Sequence, residues 1–220
     1  MIEEARSEAP LGQFLFDRLR AHIIEGAYPP GSRVPIEALK VEFGVSKQPI
    51  MEALHRLATI GLVEIEPRSG CRVRTYALQE ARDFFTVFAS FEGEIAAAAA
   101  LRHDAEHVHQ LDEALALLHE VEHTADTDDR GREYFLQNAR FHGVIHAMSR
   151  SPLVADLSRR MWYLSDFLMY GYAGADMIAT AVSGRNHDHD VIRTAIVDRN
   201  DVVAKAAMEQ HIRSITGLFS

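Results

Sequence analysis

Asn138 and His142 stand four residues apart in the stretch NARFH, whose surroundings have helical periodicity. Residues i and i+4 lie one above the other on a helix face, so both side chains could point at one metal ion or ligand. His189 and His211 form a second pair, because each lies eleven residues from a turn expected near Asn200. In an antiparallel helix hairpin this places both at equal height. Imidazole suits Zn, Ni and other first-row divalent metals.

A rival zinc chemistry is offered by HEVEH, residues 119–123. It matches the HExxH pattern of zinc metallopeptidases, in which His119 and His123 would bind zinc and Glu120 would act as general base. Glu122 adds a second charge inside the motif, and the string runs into the polar segment TADTDDRG. We therefore expect a solvated helix end here.

The string HDHD, residues 187–190, resembles the adjacent His-Asp pair of metal-dependent phosphohydrolases. Adjacent residues diverge by about 100° on a helix, so all four side chains cannot bind one ion. At most one or two of them are expected to point inward. His187 and His146 each lie within a turn of a favoured ligand and are the residues most easily mistaken for one.

The first 76 residues predict three short helices followed by a β-hairpin. Apolar residues at helical spacing predict a helix from Leu11 to Glu25, and PIEALKVEFG predicts a second that ends at Gly44. Ser46 is expected to be the N-cap of a third helix, with Pro49 in its first turn. LVEIE and CRVRT alternate around PRSG, as in a β-hairpin. Three helices and a hairpin predict a winged helix-turn-helix.

Beyond residue 76 the pattern is helical throughout, which makes the fold mainly α. The predicted helices span roughly 78–102, 104–123, 131–149, 152–172, 175–198 and 200–217. We expect residues 1–76 to form a DNA-binding domain and residues 77–220 to form an all-α helical bundle.

Charge is distributed unevenly between these two parts. The net charge of −9 comes entirely from residues 77–220, since residues 1–76 carry ten basic and ten acidic side chains. The single cysteine, Cys71, excludes an internal disulfide and a multi-cysteine zinc site. The chain has no apolar run of about 18 residues, and MIEEARSEAP is too acidic and polar for a signal peptide. We expect a cytoplasmic protein with no membrane partner.

The stretch IIEGAYPPGSRVPIEALKVEFGVSKQPIMEALHRLATIGLVEIEPRSGCRV resembles the winged-helix domain of the GntR family of bacterial transcription regulators, over residues 11–74. The remainder resembles the FCD effector-binding domain of one subgroup, through FH at 141–142, HDVIRTAI at 189–196 and MEQHI at 208–212. The resemblance implies a homodimer that binds operator DNA and responds to a small carboxylic acid.

The resemblance also implies one set of four metal ligands, namely Asn138, His142, His189 and His211. Asp is more usual than Asn at the first position. The neutral Asn138 leaves the charge of a divalent ion uncompensated, so the ion should attract an anionic effector strongly. Phe88 stands where the family usually has an Arg, four residues before Glu92. The effector contacts of that Arg cannot be transferred, and the effector-binding residues stay unknown.

The residues expected to contact DNA lie at the start of the third helix and in the hairpin. They are Lys47, Gln48, Met51, His55, Arg68 and Gly70. The N-terminal residues of a recognition helix meet base edges, whereas hairpin residues lie near phosphates. Members of the family usually carry Arg at the positions of Lys47 and Met51. Because this chain differs at both, we expect its operator to differ from the commonest family site.

The sequence therefore predicts a GntR-type regulator, not an enzyme, that binds double-stranded operator DNA as a homodimer. Its helical domain is expected to bind a small organic acid at a divalent metal, Zn or Ni. One alternative is a zinc-dependent hydrolase that uses His119, Glu120 and His123. Another is a regulator whose helical domain serves only for dimerisation.

Overall fold

A computed structural model describes residues 10–219, apart from the side chains of residues 128 and 175. Residues 1–9, which make up nearly all of the segment MIEEARSEAP considered above as a signal peptide, lie outside the described residues. The chain divides into two compact units, Met1–Tyr76 and Ala77–Ser220.

The first unit is a winged helix-turn-helix, as the sequence predicts. Its elements are α1 (Leu11–Ile24), α2 (Ile36–Phe43), α3 (Lys47–Thr59), β1 (Val63–Glu66) and β2 (Gly70–Val73). The two strands are antiparallel, with Val63 opposite Val73 and Glu66 opposite Gly70. Gly44 ends α2 in the left-handed conformation at φ 61°, which a residue without Cβ adopts at no steric cost.

Helix α3, the predicted recognition helix, is held against α1 by both apolar and polar contacts. Ile50, Leu54 and Leu57 are fully buried beneath it. Arg56 donates to the Gly12 carbonyl at 3.1 Å, and its guanidinium lies 4.1 Å from the centre of the Phe16 ring. Ser46 occupies the predicted N-cap position in extended conformation, although its side chain makes no capping hydrogen bond.

The second unit is all-α in its described part. Its helices are α4 (Leu78–Arg102), α5 (Ala105–Val121), α6 (Thr127–Met148), α7 (Pro152–Val197) and α8 (Asp201–Ser214), and a short 3-10 helix (Ile215–Leu218) follows. The two helices predicted at 152–172 and 175–198 run together as α7, broken at Gly174, whose φ of 71° and ψ of 168° are not helical.

Two other predicted boundaries moved for local reasons. α6 begins at Thr127 rather than near 131, because the Asp126 side chain accepts a hydrogen bond from the Asp129 N–H and caps the helix. α5 ends at Val121, so His123 lies beyond the helix rather than on it.

α4 is the apolar centre of the second unit. Of the described helices, it is the single one whose length and composition would let it cross a membrane, and half of its apolar window is buried. Such burial is typical of the core helix of a globular protein. The fully buried Glu92 accepts hydrogen bonds from His146 of α6 at 2.9 Å and from Ser158 of α7, so it links three helices.

Gly93 permits the close approach of α4 and α8. A Cβ atom at this position would lie 2.7 Å from Cγ of Glu209 and 3.2 Å from Cγ of Lys205. These distances are shorter than carbon–carbon contacts in packed interiors.

We expect Gly93→Val to lower the free energy of unfolding by about 2 kcal/mol, because the added side chain overpacks this crossing. Gly143→Ala is the matched control, since Gly143 lies inside α6 with open space around it. That change should stabilise by up to about 1 kcal/mol through helix propensity alone. Urea unfolding of both variants measures the difference, and equal effects of the two substitutions would contradict the close approach.

Candidate metal centre and nucleic-acid interface

Three histidines from three helices meet inside the second unit. His142 lies on α6, His189 on α7 and His211 on α8, and none is more than 1% exposed. One ring nitrogen of each lies within 4.8 Å of the others. The ring centres are 5.5 Å apart for His142 and His189, and 5.4 Å apart for His142 and His211. We call these three residues the histidine cluster.

The α7–α8 hairpin brings His189 and His211 together. The chain turns at Asn200, whose side chain accepts a hydrogen bond from the Val203 N–H and so caps α8. The ring centres of His189 and His211 are 4.4 Å apart. This proximity agrees with the equal height inferred from the sequence.

Four ring nitrogens of the histidine cluster have no hydrogen-bond partner among the described residues. They are both nitrogens of His142 and both of His189. The walls around them are aromatic, with Trp162 4.2 Å from the His142 ring and Phe141 4.7 Å from the His189 ring. A buried polar group without a partner costs about 1–3 kcal/mol. Orphaned imidazoles on converging helices are a donor set that fits a zinc or nickel ion.

Burial keeps these imidazoles neutral. The pKa of each histidine in the cluster is well below its ordinary value of 6.5, chiefly because burial disfavours the charged ring. Neighbouring positive groups add to the effect, and the guanidinium of Arg185 is one that acts on all three rings. Neutral imidazole is the form that binds metal ions.

His211 differs from the other two because both its nitrogens have partners. Arg185 Nη2 lies 2.9 Å from Nε2, and Oδ2 of Asp188 lies 3.3 Å from Nδ1. A guanidinium can only donate, so Nε2 accepts and the proton of the neutral ring belongs on Nδ1, facing Asp188. A carboxylate behind a histidine in this way is the usual support of a metal ligand. Binding of a metal through Nε2 would take that nitrogen from Arg185.

The structure places Asn138 one turn before His142 and 1% exposed. Its Oδ1 accepts a hydrogen bond from the Tyr134 hydroxyl at 3.1 Å, and that hydroxyl accepts one from Arg185 Nε at 2.6 Å. Its role as a metal ligand stays a prediction. The sequence reasoning missed Arg185, although its position four residues before His189 places both on one face of a helix.

The remaining histidines do not join the cluster. His146 bonds to Glu92 at 2.9 Å, and His187 is exposed. In the HEVEH string, His119 bonds to Asp190 at 3.0 Å and is partly exposed, while His123 lies beyond the end of α5. Two zinc ligands on successive turns of one helix are therefore not formed.

The predicted DNA-contacting residues lie on the accessible parts of α3 and the hairpin. Lys47, Gln48, His55 and Arg68 are exposed, whereas Met51 and Gly70 are half-buried. Gln48 donates to Glu52 at 3.1 Å, and this bond would break for Gln48 to read a base.

Lys47, Arg68 and Gly70 line one cleft of about 360 Å³ between the start of α3 and the hairpin tip. Arg33 lines the same cleft, and the sequence reasoning missed it. Three cationic side chains around one cleft are suited to a phosphate backbone.

Comparison with known families decides the identity of the fold. A family model described as "Bacterial regulatory proteins, gntR family" matches residues 11–73, and the FCD domain model matches residues 83–214. The chain belongs to the GntR family, in the group that carries an FCD domain. GntR regulators bind operator DNA, so this chain is a DNA-binding transcription regulator.

Individual relatives agree with this assignment. The chain is 24% identical over 207 residues to the HTH-type transcriptional repressor RspR of Escherichia coli, which covers 94% of this chain and 88% of that protein. It is 37% identical over 91 residues to the uncharacterized HTH-type transcriptional regulator BphR of Paraburkholderia xenovorans, covering 41% of this chain and 37% of that protein.

Solved structures show the same fold. E. coli McbR/YncC superposes with a TM-score of 0.81 at 16% identity, over 94% of this chain and 95% of that one. A GntR regulator from Rhodococcus sp. RHA1 superposes with a TM-score of 0.73 at 19% identity, over 95% and 99%. Since the relatives are regulators and not enzymes, the hydrolase alternative was wrong.

We expect the metal-free protein to lose stability as pH falls from 6.5 towards 5. The unfolded chain binds protons at the ordinary histidine pKa, whereas the folded cluster does not, so acid favours unfolding. Each buried histidine contributes up to about 1.4 kcal/mol per pH unit in this window.

Urea unfolding of chelator-treated protein at several pH values measures this slope. His189→Gln should reduce the slope by roughly one histidine's share. The control His109→Gln changes an exposed histidine of α5 outside the cluster and should leave the slope nearly unchanged. Identical slopes for the wild type and His189→Gln would contradict the buried neutral state.

Proposed function

We propose that this GntR regulator binds a divalent metal ion at the histidine cluster and a small carboxylate effector at that ion. The main support for this proposal is that the four ring nitrogens of His142 and His189 lie buried beside His211 without hydrogen-bond partners among the described residues. His142, His189 and His211 would hold the ion, with Asn138 as a fourth ligand. The bound ion would supply a fixed positive charge that attracts an anion.

The charge of the ligand set favours an anionic effector. Three neutral imidazoles and a neutral amide leave the charge of a divalent ion uncompensated. Burial strengthens the attraction, since an electrostatic interaction in a protein interior is less screened than one in water. A small organic acid is therefore the effector class that this ligand set favours.

In the DNA-binding unit, we propose that Lys47, Gln48, Met51 and His55 face the major groove, while Arg68 and Gly70 approach the backbone. The unit has no net charge, so its non-specific affinity is modest and useful binding requires two half-sites. We accordingly propose a homodimer that acts on DNA in the cytoplasm. Effector and DNA are coupled if they favour different arrangements of the protein.

The DNA contacts separate into base-reading and phosphate-binding residues. Gln48→Ala should relax discrimination at one base pair by about 1–3 kcal/mol, because a bidentate contact to adenine is lost. Arg68→Ala should weaken binding to all sequences and reduce the salt dependence by about one counterion.

Both variants are tested by fluorescence anisotropy on operator fragments at several salt concentrations, with Arg18→Ala, an exposed residue of α1, as the control. If Gln48→Ala and Arg68→Ala changed affinity and salt dependence alike, the division of roles would be wrong.

Metal binding is tested by titrating chelator-treated protein with Ni²⁺ or Zn²⁺ in a calorimeter. His189→Gln should weaken binding at least about tenfold, since it removes one ligand from the proposed set. Asn138→Asp should tighten binding, because a carboxylate compensates half of the ion's charge. His119→Gln is the matched control, as a partly exposed histidine outside the cluster that should leave affinity unchanged.

Two results would count against the proposal. Wild-type protein that binds no stoichiometric ion would leave the helical domain as a dimerisation module. Equal affinities in the His189→Gln and His119→Gln variants would place the ion elsewhere.

A further inference from the structure

Arg185 carries a permanent positive charge into the interior of the second unit. It lies on α7, one turn before His189, and is only 5% exposed. A guanidinium is not deprotonated in proteins. The interior beside the histidine cluster therefore contains a buried positive group even without a metal ion.

The groups that hold this guanidinium are all neutral. Nε donates to the Tyr134 hydroxyl at 2.6 Å, Nη2 donates to His211 Nε2 at 2.9 Å, and Nη1 reaches Ser214 Oγ only at 3.5 Å. Within the described part of the chain, no carboxylate lies within ion-pair distance of Arg185. Burial raises the pKa of the Asp188 carboxyl, and the nearby Arg185 partly counters that rise. The Asp188 carboxylate, however, bonds to His211 and not to Arg185.

A buried guanidinium without a direct ion pair is costly, because burial removes water and no hydrogen-bonded carboxylate replaces it. Its two terminal nitrogens also form a planar fork that matches the two oxygens of a carboxylate. One of them makes only a long contact with Ser214, and the other donates to a ring nitrogen that the proposed metal would take.

We propose that Arg185 binds the carboxylate of the effector beside the histidine cluster. The inference rests on the proposed function for the presence of an effector at this site. It identifies the protein group that recognises the acid, in addition to the ion. When His211 Nε2 binds a metal, Arg185 loses its acceptor there, and a carboxylate oxygen restores one.

Two consequences follow for binding. Metal and carboxylate should bind cooperatively, because the metal frees a donor that the carboxylate then uses. A neutral isostere of the acid should not benefit, since neither the guanidinium fork nor the ion gains an opposite charge from it.

The test uses acetate as the smallest apolar-tailed carboxylate and acetamide as its neutral counterpart. Thermal unfolding of the full chain is followed with each compound from 1 to 100 mM at constant ionic strength, in chelator and with Ni²⁺. A ligand that binds only folded protein raises the unfolding temperature with its concentration. The variants are Arg185→Met, Arg185→Lys and the control Arg160→Met, which removes an exposed guanidinium that pairs with Asp156 at 3.1 Å near the start of α7.

We expect acetate, and not acetamide, to raise the unfolding temperature of the wild type and of Arg160→Met, with a larger effect in Ni²⁺. The apparent acetate dissociation constant should rise at least about tenfold in Arg185→Met, which loses a charged hydrogen-bond donor. Arg185→Lys keeps the charge without the fork, so it should show a smaller loss. If Arg185→Met does not fold, the Arg185→Lys variant and the acetate–acetamide comparison decide.

An acetate effect equal to that of acetamide in the wild type would overturn the proposal. So would an undiminished acetate effect in Arg185→Met or, if that variant does not fold, in Arg185→Lys. A failure of Ni²⁺ to stabilise any variant, with an acetate effect that still depends on Arg185, would overturn the metal site and support the role of Arg185.

Discussion

The interior of the helical domain is organised by the burial of three neutral imidazoles at one point. Each comes from a different helix, so α6, α7 and α8 can meet there only in one register. A misplaced turn would move a histidine by about 5 Å along its helix and leave its ring nitrogens among apolar side chains. The unsatisfied ring nitrogens destabilise the fold, and a metal ion or ligand that bonds to them would restore the lost free energy. Ligand binding is thereby coupled to the packing of three helices.

The helix α7 is fixed against α5 on both sides of His189. Asn186 donates to the Leu118 carbonyl at 2.8 Å, and Arg193 forms two hydrogen bonds with Asp112 at 2.7 and 3.1 Å. These contacts lie about one turn before and one turn after the histidine. They fix both the rotation and the height of α7, and with it the position of Arg185.

The sequence predicts those features that depend on local periodicity. Spacing about Asn200 was enough to bring His189 next to His211, because a helix hairpin has few geometries. The same spacing did not predict the hydrogen-bond partners of His211. Arg185 and Asp188 can be identified as these partners only from the packed arrangement of α7 and α8. The start of α6 was missed for another reason. Its first turn is polar and depends on one capping residue, Asp126, which in sequence is indistinguishable from a loop.

The effects of Asn138 and Arg185 on the charge of the interior depend on each other. A chain of hydrogen bonds runs from Arg185 Nε through the Tyr134 hydroxyl to Asn138 Oδ1. An aspartate at position 138 would place a negative charge one hydroxyl away from the guanidinium and would compensate both that cation and the ion. With the amide in its place, the hydroxyl still bonds to both residues, but neither positive charge is reduced. The neutral residue thus leaves the interior with a charge that an incoming anion can satisfy.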